Sequence, residues 1–109
     1  MVLLGWEVDV AFTVEIIPSA LKELQAIKIF YRREIAQAID EQLHHQATTP
    51  TRHRKILQVA EASFAFDPPL WELRIGDFRV FYDVAEQSQT VYVRAIREKP
   101  PHAMTEEVL

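Results

Sequence analysis

The chain of 109 residues contains no cysteine, only two glycines and no long hydrophobic run. The lack of cysteine excludes a disulfide scaffold, a thiolate metal site and a cysteine nucleophile. The apolar runs fall well short of the ~20 residues that a membrane helix requires, so no membrane segment is expected. The length fits one domain, 1–109, with 1–11 interpreted as an N-terminal extension and 100–109 as a C-terminal tail.

Positive charge is also scarce overall, because 16 acidic residues outnumber 12 basic ones and the net charge is −4. This balance excludes a protein that coats nucleic acid by bulk charge. Eight of the 12 basic residues nevertheless lie between positions 52 and 99. Any contact with nucleic acid must therefore be local to that segment.

The N-terminal half predicts a strand followed by a helical hairpin. Residues 12–17 are rich in β-branched side chains, and Pro18 ends the strand, with Ser19 as the expected N-cap of a helix. One helix over 19–49 would span ~46 Å, too long for a compact domain of this size. We therefore expect a break at 27–31, where β-branched and aromatic residues cluster.

The C-terminal half predicts an antiparallel meander. The runs Trp71–Ile75 and Phe78–Val84 alternate and are joined by the two residues Gly76-Asp77, which is a hairpin signal. A short strand near 56–59 and an alternating strand at 90–97 complete three to four strands. The predicted fold class is α+β, with the helices packed on one face of the sheet.

This register assigns three arginines to the sheet face opposite the helices, namely Arg74, Arg79 and Arg94. Like charges directly opposite each other destabilise a sheet, and guanidinium groups match phosphate geometry, so one interpretation is an anion site. The aromatic residues Phe81 and Tyr92 share that parity and are candidates for stacking on bases.

A second interpretation of the same face is a solvated surface, on which Glu72 and Asp83 neutralise the arginines. The pattern alone leaves both interpretations open. The densest positive run, with Arg52, Arg54 and Lys55, is either a phosphate contact or an exposed loop. The adjacent histidines at 44–45 cannot share one helix face, so neither a metal site nor a cofactor is expected.

The segment from Leu70 to Val84 resembles the central hairpin of the RelE/ParE superfamily of toxins from type II toxin–antitoxin systems. The strand before Pro18 and the late strand Val91–Arg97 are also similar, so the resemblance covers roughly 12–107. It implies a small cytoplasmic toxin that forms a hetero-oligomeric complex with a cognate antitoxin. In the RelE-like branch, it implies an endoribonuclease that cuts messenger RNA on the ribosome by attack of the RNA 2′-hydroxyl on the adjacent phosphate.

The resemblance also implies site residues. Arg79 corresponds to the family's phosphate-stabilising hairpin arginine, and Lys99, or else Arg97, corresponds to the basic residue after the last strand. RelE itself has lysines where this chain has Leu70 and Glu72, and a late tyrosine near the position of Thr105. His102 is the alternative proton carrier, either catalytic or a solvated loop residue.

These departures keep two alternatives open beside the ribosome-dependent nuclease. One is a ParE-like inhibitor of DNA gyrase that is not a nuclease. The other is a catalytically attenuated member that acts mainly as the partner of its antitoxin.

Overall fold

A computed structural model describes residues 11–109, so residues 1–10 of the expected N-terminal extension lie outside the described residues. Two helices and a five-stranded sheet confirm the α+β class. In chain order the elements are β1 (Thr13–Ile16), α1 (Pro18–Gln25), α2 (Ile29–Gln46), β2 (Arg54–Leu57), β3 (Leu70–Ile75), β4 (Phe78–Ala85), β5 (Thr90–Glu98) and a C-terminal 3-10 helix (Thr105–Val108). Within 11–109 no helix combines the length and apolar composition that a membrane span needs.

The helical hairpin breaks close to the predicted place. The first helix begins at Pro18 with Ile17 as its N-cap, so the expectation that Ser19 caps it is wrong. Proline suits the first helical position because its φ is already helical and because a backbone N–H at that position has no partner within the helix. The break occupies 26–28 and is stabilised by Arg32, whose Nη2 donates to the carbonyl oxygens of Gln25 (3.1 Å) and Ile27 (3.0 Å). A cation is well placed at a helix C-terminus, where carbonyl groups lack partners.

The sheet has the order β1-β5-β4-β3-β2, with β1 parallel to β5 and all other pairs antiparallel. The parallel strand β1 extends the predicted meander to five strands. The hairpin register is confirmed, because Trp71 faces Tyr82 and Arg74 faces Arg79. The strand predicted near 56–59 lies two residues earlier, at Arg54–Leu57.

A β-bulge between β4 and β5 changes which side chains face the helices. The register pairs Phe81 with Ala95 and Tyr82 with Val93, so Arg94 is the extra residue of the bulge. Beyond this point the side-chain parity of β5 is reversed. Ile96 therefore joins the helix-facing core and Ala95 the opposite face, the reverse of the alternation that the sequence predicts.

Hydrophobic clusters lie on both faces of the sheet. The main core packs Ile35, Ile39 and Leu43 of α2 against the sheet. These residues are spaced four apart, which places them on one face of the helix. On the other face Phe81 is fully buried, with Phe64 stacked 5.8 Å away between ring centroids. Segment 58–69 and the C-terminal tail cover this face, so the prediction that Phe81 stacks on RNA bases is wrong.

Arg54 is also buried, with only 2% of its surface exposed, although the charge run predicts a nucleic-acid contact there. Its Nε donates to the carbonyl of Thr49 (3.0 Å), and its two terminal nitrogens donate to the side-chain oxygens of Gln42 (2.6 Å) and Gln46 (2.9 Å). A single side chain thereby ties the end of α2 to the start of β2. The prediction of Arg54 as a substrate contact is wrong.

Replacing Arg54 with methionine should lower the free energy of unfolding by about 2–3 kcal/mol, because three acceptors lose a charged donor at a buried position. The matched control is Arg52→Met, an exposed residue two positions away, with an expected change of about 0.5 kcal/mol or less. Urea unfolding followed by tryptophan fluorescence measures both. Equal midpoints for the two variants would contradict the structural role of Arg54.

Candidate functional site: a basic groove on the second face of the sheet

A cavity of about 440 Å³ opens on the sheet face that points away from the helices, between the edge strand β2 and the C-terminal tail. We call it the basic groove. Four cationic side chains and two carboxylates line it, so its charge is net positive. The charged lining residues are Lys55, Glu72, Arg74, Arg79, Lys99 and Glu106.

Arg79 is the most firmly held of these cations. Its side chain is 6% exposed, and its Nη1 donates to the carbonyl oxygens of Gly76 (2.7 Å) and Phe78 (2.9 Å). No hydrogen bond among residues 11–109 uses its Nη2, and Arg79 lines the groove. The planar fork is thus fixed in orientation before any ligand arrives.

Burial lowers the pKa of the Arg79 guanidinium, the nearby Glu72 carboxylate raises it, and Arg74 across the hairpin lowers it again. An arginine remains protonated in proteins despite such shifts. Arg79 therefore carries its positive charge into the groove over the physiological pH range. The predicted opposition of Arg74 and Arg79 is confirmed as a cross-strand pair.

Glu72 forms the floor of the groove and is the site residue whose importance the sequence interpretation underestimates. Its carboxylate is 3% exposed and lies 3.8 Å from Nε of Arg79 and 3.9 Å from Nζ of Lys55. The hydroxyl of Thr105 donates to it over 3.3 Å. The sequence signal is an acidic residue on the arginine-bearing face, and from the sequence alone this residue is expected only to neutralise a surface charge.

The C-terminal tail forms one wall of the groove. Lys99 is half-buried at the end of β5, where its backbone N–H donates to the carbonyl of Asp77 (2.6 Å). Thr105 lines the same wall. His102 is exposed, has a φ of 71° and does not line the groove. The groove therefore includes the predicted Lys99 and leaves the predicted His102 outside.

Arg94 and Tyr92 both interact with other side chains of the protein. Arg94 forms a two-pronged pair with the buried Asp83, through Nε at 2.9 Å and Nη2 at 3.2 Å. Its guanidinium carbon also lies 5.0 Å from the centre of the Tyr92 ring, which is a cation–π contact. In this structure both residues take part in packing and charge neutralisation, and their contact with a nucleotide stays a prediction.

Arg97 likewise bonds to the protein. Its Nε donates to Glu23 of α1 (2.9 Å), and its Nη1 donates to Ser63 (2.8 Å) and to the carbonyl of Val108 (3.1 Å). It joins the first helix, segment 58–69 and the C-terminal tail. Of the two candidates for the basic residue after the last strand, Lys99 lines the groove and Arg97 does not.

A family model matches residues 14–99, and its description is the ParE toxin of the type II toxin–antitoxin system, parDE. The matched stretch begins in β1 and ends just after β5, so it includes Arg74, Arg79 and Lys99. The chain belongs to the ParE toxin family. It is therefore a toxin of the type II toxin–antitoxin kind, within the RelE/ParE superfamily. No curated protein sequence matches this ParE-family chain significantly.

Three solved structures of RelE toxins or RelE–RelB complexes share the fold of this chain. The RelBE2 toxin–antitoxin complex of Mycobacterium tuberculosis matches with a TM-score of 0.65 at 19% identity, over 83% of this chain and 100% of that one. The RelE–RelB complex of Pyrococcus horikoshii matches with 0.62 at 19% identity, over 84% and 98%. The isolated Escherichia coli RelE toxin matches with 0.62 at 17% identity, over 83% and 86%. At these identities the likeness establishes the fold of the ParE-family chain.

Proposed function

We propose that this toxin is a ribosome-dependent messenger RNA endoribonuclease and that the basic groove holds the scissile phosphate. The observation that carries the proposal is the immobilised Arg79 beside three further cations, Lys55, Arg74 and Lys99, in one open cavity. A preorganised guanidinium stabilises the charge that develops on a phosphate during attack. The groove supports this function best because phosphate recognition needs fixed cationic donors in an accessible cleft.

The proposed reaction is attack of a 2′-oxygen on the adjacent phosphorus, with transfer of the proton of that hydroxyl to solvent water. The bond from phosphorus to the 5′-oxygen breaks, and the leaving oxygen takes up a proton. Arg79 binds a non-bridging phosphate oxygen through Nη2, and of the two groove ammonium groups the one assigned to donate the proton is Lys99, next to the C-terminal tail. Orientation of the RNA and electrostatic stabilisation are therefore the main contributions assigned to this chain.

Inhibition of DNA gyrase is the second candidate function. The match to the ParE model favours it, and among the described residues that line the groove none is histidine or tyrosine. Induced expression in cells separates the two candidates. The nuclease should produce codon-dependent cuts in primer extension that disappear in Arg79→Ala, whereas a gyrase inhibitor should induce the DNA-damage response and leave messages intact. Harmless expression would instead support the attenuated alternative.

The proposed partner that controls toxicity is a cognate antitoxin. The matched Mycobacterium and Pyrococcus structures are complexes of toxins with antitoxins, and the basic groove suits an acidic segment that pairs its cations. Co-expression with the adjacent reading frame should yield a hetero-oligomer and suppress toxicity. The proposed target, the ribosome with its message, implies that the protein acts in the cytoplasm.

Glu72 is expected to weaken RNA binding, because its carboxylate competes with phosphate for Lys55 and Arg79. Glu72→Gln should therefore bind a short RNA about fivefold more tightly, which corresponds to about 1 kcal/mol. Fluorescence anisotropy with 2′-O-methyl RNA, which lacks the attacking hydroxyl, measures the effect. The control is Glu86→Gln on the exposed β4–β5 turn, with no expected change beyond the small salt-dependent effect of net charge. Weaker binding by Glu72→Gln than by Glu86→Gln would contradict the competition.

A further inference from the structure

A second cleft of about 530 Å³ adjoins the basic groove. Arg74 is exposed on β3 and contributes to the lining of both cavities, so the two share this residue. The second cleft is lined by Ala38, Gln42, Arg52, His53, Arg74, Ile75 and Gly76. In contrast to the groove, none of the described residues that line this cleft is a carboxylate.

The backbone that carries Arg52 and His53 is fixed by several bonds. Arg74 donates its backbone N–H to the carbonyl of His53 over 2.8 Å, which joins the turn to β3. His53 donates its own N–H to the hydroxyl of Thr51 over 3.1 Å. The next residue is the buried Arg54, whose guanidinium is pinned by two side chains of α2. The exposed side chains at 52 and 53 therefore project from a rigid turn.

We propose that this cleft is a second RNA subsite, which binds the phosphodiester and base that flank the scissile nucleotide. The strand passes over Arg74, so that one guanidinium contacts the backbone between the two cavities. Arg52 binds the flanking phosphate, and the imidazole of His53 with the amide of Gln42 supplies a stacking surface and hydrogen bonds for a base. The absence of a lining carboxylate suits a polyanion better than a peptide with mixed charge.

The subsite rests on the proposed function, since it extends the same RNA site. It makes a separate claim about length: RNA that fills both cavities binds more tightly than RNA that fills only the groove. For a single strand, each phosphate that the protein neutralises also steepens the fall of log affinity with log salt by about 0.7. Length dependence and salt slope therefore report the second cavity without any cleavage.

The test measures anisotropy of labelled 2′-O-methyl RNA, a dinucleotide and a hexanucleotide, with the purified full chain. Arg52→Ala should weaken hexanucleotide binding about fivefold, reduce its salt slope by about 0.7, and leave dinucleotide binding within about twofold. Arg79→Ala should weaken binding of both lengths, and Arg33→Ala on the exposed face of α2 should change neither.

Equal losses for both lengths in Arg52→Ala, no loss for either, or no gain of affinity with length would overturn the subsite. If length-dependent binding requires Arg52 but messages stay intact on ribosomes, the subsite stands and the nuclease proposal fails. If Arg79-dependent cleavage occurs without any effect of Arg52 on length dependence, the nuclease stands and the subsite fails.

Discussion

Replacing Arg79 with alanine is expected to slow cleavage of ribosome-bound message by about 10²–10³-fold, the usual cost of removing one preorganised donor to a developing negative charge. The reason is the geometry of the groove: two backbone carbonyls fix Nη1 at 2.7 and 2.9 Å, which immobilises the guanidinium of a residue that lines the cavity. Single-turnover cleavage on programmed ribosomes measures the effect.

Arg79→Lys separates charge from geometry. Lysine retains a positive charge but lacks the planar fork, so it should recover only part of the lost rate. Arg33→Ala, an exposed change on α2, should leave the rate unchanged. Thermal unfolding of each variant reports whether it is folded. Wild-type rates in both folded Arg79 variants would remove Arg79 from the proposed mechanism.

The largest expected loss of stability follows from Asp83→Ala. The Asp83 side chain is 2% exposed, and it accepts two bonds from Arg94 and one from the backbone N–H of Asp67 (2.6 Å). Its removal leaves a largely buried guanidinium without its main partner and removes the hydrogen bond between Asp67 of segment 58–69 and β4. The free energy of unfolding should fall by about 3 kcal/mol, as measured by urea unfolding.

The matched control is Asp67→Ala. The Asp67 carboxylate is 90% exposed and lies 3.8 Å from Arg94, so its removal should cost about 0.5 kcal/mol or less. This variant retains the backbone N–H that Asp83 binds. A loss for Asp83→Ala as small as that for Asp67→Ala would indicate that the buried pair does not stabilise the second face of the sheet.

Much of the fold follows from local patterns in the sequence. Alternation on both sides of a two-residue loop fixes the β3–β4 register, because a shift by one residue would move the whole apolar set into solvent. The same register places Arg74 opposite Arg79, so the sequence alone predicts the central pair of the groove. The stripe of Ile35, Ile39 and Leu43 likewise identifies the buried face of α2.

The remaining features depend on contacts between distant segments. The alternation of inward and outward side chains along β5 is interrupted at Arg94, because a β-bulge adds one residue to the strand. Nothing in the alternating sequence of β5 indicates where this bulge lies. Phe81 has the parity of an exposed residue but is covered by Phe64, which belongs to an irregular segment without periodicity. Arg54 looks like its charged neighbours, and only the position of α2 determines that it is buried.

The candidate site shows the same division. Arg74, Arg79 and Lys99 follow from the hairpin and the family resemblance, and the groove brings them together. Glu72 becomes a site residue only because the tail brings Thr105 within 3.3 Å of it and β2 brings Lys55 within 3.9 Å. Sequence position alone cannot distinguish this carboxylate from a surface charge.

Cleavage of a 5′-labelled message by the purified protein, in the presence and absence of programmed ribosomes, tests the central claim most directly. The account predicts discrete cuts within the ribosome-bound codon for the wild-type protein, none on free RNA, and none with Arg79→Ala. Intact message on ribosomes, together with inhibition of gyrase supercoiling by the same preparation, would contradict it.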